Sequence, residues 1–512
     1  MFAMPDAAQL VEMAKSLNLN LSLKEAELYV PVILDAVRDL DRFVQSRVEE
    51  PAPPKLFPER GPGYRPSLAE DRYQAWLWKC AIGGKDGGLL AGKTVSFKDH
   101  ISVAGIPQVF TSQFLEGFIP DVDATIVTRV LAAGGKVVGK NMMNGFMGDY
   151  GRPLNPHNPE RITGGSSSGS GAALAAGEVD ISFGGDQGGS IRVPSAYCGV
   201  VGLKPTFSLV SHFAVGFGAE PSVDHVGPMA KTVENVAAAL QAVAGYDDYD
   251  PRQRRDVPES IDALSNLDGG VKGLKIGILH EGFAEPIEPE VSAGVFAAIS
   301  TLEKLGAEIR KISIPAHAQI GSAYAALIFE GSRALYDTGF YGIGAKTYYP
   351  ASVVTALDRM WRDNGDIMPP RAKLNHLVAE ISRRNFHGGA YAKAHNVRPT
   401  YVAAFDKALA EVDVIALPTA RTIAPLFEPD PTEQMAAIDA NLRRNWMLSP
   451  MVYNTKPTDY TGHPALAVPC GKVNGMPISL QLIGKFFADP LLLRVAHAFQ
   501  KAVDWDEITG VR

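Results

Sequence analysis

The sequence predicts an α/β protein, with a core built on a mixed, largely parallel β-sheet and an N-terminal helical region before it. Three observations carry that expectation. Residues 6 to 49 repeat apolar side chains at helical spacing. From about residue 80 the pattern turns to strand, helix, strand, and keeps recurring. Between residues 164 and 192, two Gly-rich turns bracket a small-residue helix and an alternating strand pattern, in the run GGSSSGSGAALAAGEVDISFGGDQGGSIR. A flexible linker would not pass at once into a helix and a strand.

Taken in order, Ala7 to Leu17 is a short helix, and Ser22-Leu23-Lys24-Glu25 has the spacing of a capping box that opens a longer one. Ala26, Val30, Ile33, Val37, Leu40 and Val44 form its stripe, with a kink or fresh start expected at Pro31. Prolines 51, 53, 54, 58, 62 and 66 make an extended connector. Gly92 to Lys98 reads as a strand, Asp123 to Ala133 as a helix, and Lys136 to Gly139 as the next strand. Ala172 to Gly177 is a short helix and Val179 to Phe183 a strand. Val233 to Ala244 is helical, and residues 247 to 270 form a polar surface crossing. Leu274 to Leu279 is a strand, Val291 to Leu305 a helix, and Asp413 to Pro418 a buried-type strand. Residues 320 to 400 are irregular, with scattered aromatics Tyr324, Phe329, Tyr336, Phe340, Tyr341 and Trp361. Residues 421 to 455 are poorly patterned. A hairpin is expected around Asn474-Gly475, and Leu491 to Val503 is the closing helix. The domain reading is therefore 1–80 for the helical region and connector, 81–319 with 401–512 for the core, and 320–400 for an inserted, substrate-covering subdomain.

The 512 residues suffice for a large buried core. Their 46% hydrophobic and 21% charged content is that of a globular protein. A net charge of −7 argues against a nucleic-acid binder. Cys80, Cys198 and Cys470 are too few for a disulfide framework and lack zinc-site spacing, so buried thiols in a reducing cytoplasm are expected. No basic leader precedes an apolar run at the N-terminus, and no membrane-spanning stretch is evident.

The chemistry gathers around the glycines, whose lack of a Cβ lets backbone N–H groups converge on one point. Ser166 and Ser190 sit in the two turns, and Lys98 ends a strand upstream. A serine hydroxyl needs an adjacent base to attack at neutral pH. No Gly-x-Ser-x-Gly elbow surrounds Ser190. A lysine serves if burial makes its neutral amine accessible, and Lys98 lies among Val95, Phe97 and Ile101. His100, His225 and His463 would suit a Ser-His-Asp arrangement, but nothing in their spacing supports one.

Five runs together resemble the amidase signature family of serine hydrolases: Val95-Ser96-Phe97-Lys98-Asp99, Asp123-Ala124-Thr125, Gly164 to Gly169, Gly185 to Arg192, and Cys198 to Thr206. Thr461-Gly462-His463-Pro464-Ala465-Leu466 also fits. The resemblance spans roughly residues 85 to 500. It implies an amidase-signature-type sheet covered by helices on both faces. It also implies a Ser-Ser-Lys triad, with Ser190 acylated, Ser166 as relay at a cis peptide bond, and Lys98 as general base. The N–H groups of Gln187, Gly188 and Gly189, with Ser190 as a further candidate, would form the oxyanion hole. Asp186 and Arg192 would hold the loops. Ser167, Ser168 and Ser170 either join that network or satisfy turn backbone. No metal or organic cofactor is implied.

Gly185 and Gln187 depart from the residues many members carry, and Ser168-Gly169-Ser170 replaces a more usual Gly-Gly-Ser. The Gly185-Asp186-Gln187-Gly188-Gly189-Ser190 variant, Asp224-His225 with Gly227-Pro228, Asp250-Pro251-Arg252-Gln253 and Thr461-Gly462-His463-Pro464 look most like the enantioselective amidases of bacterial nitrile degradation, whose N-terminal helices form a dimer. The expected activity is hydrolysis of a small-molecule carboxylic amide by a cytoplasmic homodimer. Hydrolysis of a hydrazide, carbamate or aryl anilide is the alternative. An amidotransferase A-type subunit is another, which the acidic balance and the N-terminal helices weigh against.

Overall fold

A computed structural model describes residues 5–143, 150–216, 220–339, 346–443 and 450–511. The chain divides into two compact units, Met1–Pro53 and Pro54–Arg512. In the first, helices Ala7–Ser16 and Leu23–Val44 each begin on a capping box, Asp6 with Gln9 and Ser22 with Glu25. The second helix runs on through Pro31 rather than restarting there.

The second unit is built on one sheet. Its strands in chain order are β1 (Trp76–Ile82), β2 (Thr94–Lys98), β3 (Lys136–Asn141), β4 (Ile181–Asp186), β5 (Val201–Lys204), β6 (His225–Ala230), β7 (Lys275–Leu279), β8 (Glu308–Ile312), β9 (Val414–Pro418), β10 (Ala465–Val473) and β11 (Met476–Ile483). Among the described residues the order across the sheet is β1-β3-β2-β4-β6-β5-β10-β11-β9-β7-β8.

The sheet is mixed, as expected, but parallel pairing is confined to β3-β2-β4 and β9-β7-β8. The remaining neighbours, including the whole centre, are antiparallel. "Largely parallel" therefore holds for the flanks only. The reason lies in the connections, since parallel neighbours need a helix-length crossover. Helices Thr125–Ala132 and Pro289–Lys304 supply it on the flanks. At the centre a two-residue turn at Asn474-Gly475 joins β10 to β11.

Both faces of the sheet are covered. Along β9, Val414 and Ala416 enter one apolar core, while Ile415 and Leu417 enter another. The same alternation separates Leu466 of β10 from Ala465. Every residue of β4, β9 and β11 is buried. The connector after residue 53 belongs with this body, because Tyr64 bridges Lys79 and β1 pairs with β3. The compact division thus lies at 53/54 rather than near 80. The segment read as an inserted subdomain is helical where described, with helices Ala316–Ala326, Ser332–Asp337, Ala351–Asp363, Pro370–Phe386 and Gly389–Glu411. Phe340 and Tyr341 lie outside the described residues.

Candidate active site

The parallel pair β2 and β4 ends at one edge of the sheet, which puts Lys98 and Asp186 on the same side. Phe97 and Phe183 stack at 5.5 Å between ring centroids and lock those ends together. Lys98 is 1% exposed. Burial brings its ammonium down from 10.5 to about 8, against the opposing pull of Asp224 and Asp186. Its amine donates to Ser166 Oγ at 2.6 Å.

Ser166 sits in the first Gly-rich turn, and the Gly165–Ser166 peptide bond is cis. The turn is tied down by Gly169 N–H to the Met142 carbonyl at 3.0 Å, just past β3. Ser167 N–H donates to the Ser190 carbonyl at 3.2 Å, and Ser167 Oγ to the Gly185 carbonyl at 3.3 Å. The two turns are thereby joined. Ser190 itself is half-buried. Among the described residues no hydrogen bond links its hydroxyl to Ser166. The Ser168 and Ser170 hydroxyls are buried and have no hydrogen-bond partner among the described residues.

The second turn is shaped by Asp186. One carboxylate oxygen accepts from Gly189 N–H at 2.6 Å, and the other from Ile191 N–H at 3.0 Å and Arg192 N–H at 3.3 Å. Arg192 answers with a two-pronged grip, Nη2 to Oδ1 at 2.9 Å and Nε to Oδ2 at 3.0 Å. The same guanidinium reaches Asp459 Oδ2 at 2.8 Å, Thr458 Oγ1 at 2.6 Å and Gln481 Oε1 at 2.9 Å. Burial pushes the Asp186 carboxyl up, but the Arg192 charge and its hydrogen bonds overcome this and hold it well below the usual range. Burial and the nearby Asp186 push the Asp459 carboxyl well above the usual carboxylate range. Arg192→Ala is expected to leave the Asp186 carboxylate buried without its counter-charge, at about 3–5 kcal/mol of stability, readable by chemical denaturation.

The oxyanion expectation needs one correction. Gly189 N–H is spent on Asp186, so it does not face a developing charge. Among the described residues no protein group accepts from the N–H of Gln187, Gly188 or Ser190. The Gln187 carbonyl accepts from the Tyr324 hydroxyl at 2.5 Å, and the Gly188 carbonyl from Thr455 Oγ1 at 2.6 Å. Gly189 has φ +132°, and a Cβ there would collide with Thr455 Oγ1. The glycine at 185 also has a physical reason, since a Cβ there would run into His100 Nε2.

The three histidines take other places. His100 is buried, neither ring nitrogen has a hydrogen-bond partner among the described residues, and burial with the neighbouring Lys98 holds its pKa well below the ordinary value. His225 Nδ1 meets the Val223 carbonyl, and His463 lies against Thr461 and Asp406. None is hydrogen-bonded to Ser190 among the described residues. Sequence reasoning passed over Thr455, at the end of the poorly patterned stretch, and Asp459, just beyond it, and gave Tyr324 no role beyond that of a scattered aromatic. Asp224, which accepts from Gln187 Nε2 at 2.5 Å and contacts His212 Nε2 at 3.1 Å, was visible only as a motif neighbour of His225. Among the described residues no group of three or more His, Cys, Asp or Glu could hold a metal ion, and no helix is long and apolar enough to cross a membrane.

The Amidase family model matches residues 67–493. The A-type subunit of the Glutamyl-tRNA(Gln) amidotransferase of Methanosarcina acetivorans is 36% identical over 442 residues, covering 82% of this chain and 86% of its own. An Enantioselective amidase of Rhodococcus rhodochrous is 36% identical over 450 residues, covering 86% and 85%. The crystal structure of the corresponding A-type subunit from Thermotoga maritima has the same fold, with a TM-score of 0.66 at 29% identity, covering 84% of this chain and 88% of that one. A match running through nearly the whole of the sheet-bearing unit, with the signature residues gathered at one edge of it, means that the chain belongs to the amidase signature family.

Proposed function

We propose that the protein is an amide hydrolase working through an acyl-enzyme on Ser190. The observation that carries this reading is the buried Lys98 amine, 2.6 Å from Ser166 Oγ, in the turn whose Ser167 N–H holds Ser190. Neutral Lys98 takes the Ser166 proton while Ser166 takes that of Ser190. The link between the two hydroxyls closes when substrate is bound. Ser190 Oγ attacks the amide carbonyl, and the N–H groups of Gln187, Gly188 and Ser190 stabilise the oxyanion. The C–N bond breaks as the relay returns a proton to the leaving amine. Water, deprotonated along the same route, then frees the acid. Asp186 and Arg192 keep the loop in shape, and no cofactor takes part.

Assay of the purified chain on a panel of amides, anilides, hydrazides and carbamates tests the reading and selects the acyl bond. For an accepted amide, kcat/KM should rise tenfold per pH unit below about 8 and level off above it, because only the neutral Lys98 amine acts. A profile flat from pH 6 to 9 would contradict a lysine base. The similarity to the A-type subunits of amidotransferases supports a second reading, in which ammonia passes to another acceptor. Glutamine hydrolysis that depends on added partner proteins, with no activity on the panel, would favour it. A homodimer through the N-terminal helices belongs to the first reading, and the exposed Leu28, Val32, Leu40 and Phe43 of Leu23–Val44 support it.

A further inference from the structure

We infer that Tyr324 is a positioning residue for the oxyanion hole, holding the Gln187–Gly188 peptide so that the Gly188 N–H faces the reacting carbonyl. The inference rests on the serine-hydrolase reading above and adds a residue that the signature motifs do not contain.

Tyr324 lies in the helix Ala316–Ala326, far along the chain from the Gly-rich turns, and is fully buried. Its hydroxyl donates to the Gln187 carbonyl at 2.5 Å. In a trans peptide the carbonyl and the following N–H point in opposite directions. Cis bonds are recorded only at Gly165–Ser166 and Glu285–Pro286 among the described residues, so the 187–188 bond is trans. Fixing the Gln187 carbonyl therefore fixes the direction of the Gly188 N–H.

The next peptide is held differently. Thr455 Oγ1 takes the Gly188 carbonyl, and Asp186 takes the Gly189 N–H on its other side. That peptide is clamped at both ends within the protein. The 187–188 peptide is clamped at its carbonyl end alone, which leaves its N–H for a ligand. Without Tyr324, a turn of Gly188-Gly189 has little else to stop that peptide from rotating.

The donor is well suited to the task. Burial, with Asp459, Asp186 and Asp224 nearby, pushes the phenol well above its ordinary range, so it stays protonated and donates at any working pH. Its helix is braced by His317, whose Nε2 meets Asn454 Oδ1 at 3.1 Å. Asn454 Nδ2 in turn donates to the Gly282 and Pro418 carbonyls at 2.9 and 2.8 Å. The Asn454 carbonyl also accepts from Gln481 Nε2 at 2.9 Å, and Gln481 Oε1 accepts from Arg192, so the clamp is tied to the Asp186–Arg192 pair.

Tyr324→Phe removes the hydroxyl and keeps the ring. On the amide selected by the panel, kcat should fall about 10- to 100-fold with KM within about twofold, since the lost interaction acts on the transition state. The rate ratio between that amide and its thioamide should narrow, because sulfur gains little from oriented N–H donors and loses little when they loosen. Phenylmethanesulfonyl fluoride should still modify Ser190, located by mass spectrometry, and the melting midpoint should stay close to wild type. A kcat within twofold of wild type would overturn the inference. So would equal losses on amide and thioamide accompanied by a lowered melting midpoint, the mark of a merely structural role. Full activity of Ser190→Ala would overturn the serine reading and this inference with it, whereas an inactive Ser190→Ala beside an unaffected Tyr324→Phe rejects the Tyr324 assignment alone.

Discussion

Ser190→Ala is expected to lower amide turnover by about 10⁴-fold or more while leaving the fold in place. The loss is large because the hydroxyl is the atom that bonds to the acyl group in the proposed mechanism, and no neighbour can supply another in its position. Ser166 is engaged by Lys98. Ser167 is committed to the Gly185 carbonyl, and Ser168 is buried. Stability should hardly change, since the Ser190 side chain is half-buried and its carbonyl still accepts from Ser167 N–H in the alanine variant. The measurement is turnover on the panel substrate beside a thermal melt. Wild-type protein quenched during turnover should carry an acyl mass on the peptide containing Ser190, and the variant none. Near-full activity of the variant, or a label on another residue, would end the proposal.

Lys98→Met should have the next largest effect, about 10³- to 10⁴-fold on amide hydrolysis. The amine has two tasks here, taking a proton through Ser166 before attack and giving one to the leaving amine afterwards. A p-nitrophenyl ester releases a stable anion and needs no second proton, so the same variant should lose less on the ester. Stability moves the other way. Lys98 has a folded pKa near 8 against 10.5 when unfolded. Below pH 8 the folded state therefore carries a buried ammonium whose penalty is a few kcal/mol, and this penalty fades as pH rises from 8 to 10.5. Methionine has no such penalty, and it forfeits only one hydrogen bond to Ser166, worth about 1 kcal/mol. The variant should melt above wild type at pH 7, with the difference shrinking towards pH 10. Equal losses on amide and ester, with no stabilisation, would show that Lys98 is not the base.

Much of the architecture can be read from the chain. The strands at 94–98, 275–279 and 414–418 announce themselves between turn residues, and both N-terminal helices through their capping boxes, whereas the strand expected over Val179 to Phe183 runs from Ile181 to Asp186 and takes in Gly184-Gly185-Asp186, read as turn. What escaped notice had no periodic signal to offer. β5 and β6, with sequences Val201-Gly202-Leu203-Lys204 and His225-Val226-Gly227-Pro228-Met229-Ala230, are buried along their whole length and carry glycine, lysine, histidine and proline. A strand covered on both faces need not alternate. Their place at the centre also made the sheet more antiparallel than the recurring strand–helix–strand pattern suggested.

The sequence alone was enough to show the family and to propose Lys98, Ser166 and Ser190 as the reacting side chains, because they sit in glycine-dense or strand-end motifs whose local geometry depends on few distant residues. The hydrogen-bond partners of the second turn's backbone came into view only in the folded chain. Gly189 N–H is lost to Asp186, and Tyr324 and Thr455 reach the turn from positions 137 and 267 residues away. The physical reason is that a hydrogen bond acts over a few ångströms in space, while chain order records nothing of which remote helix will supply its donor.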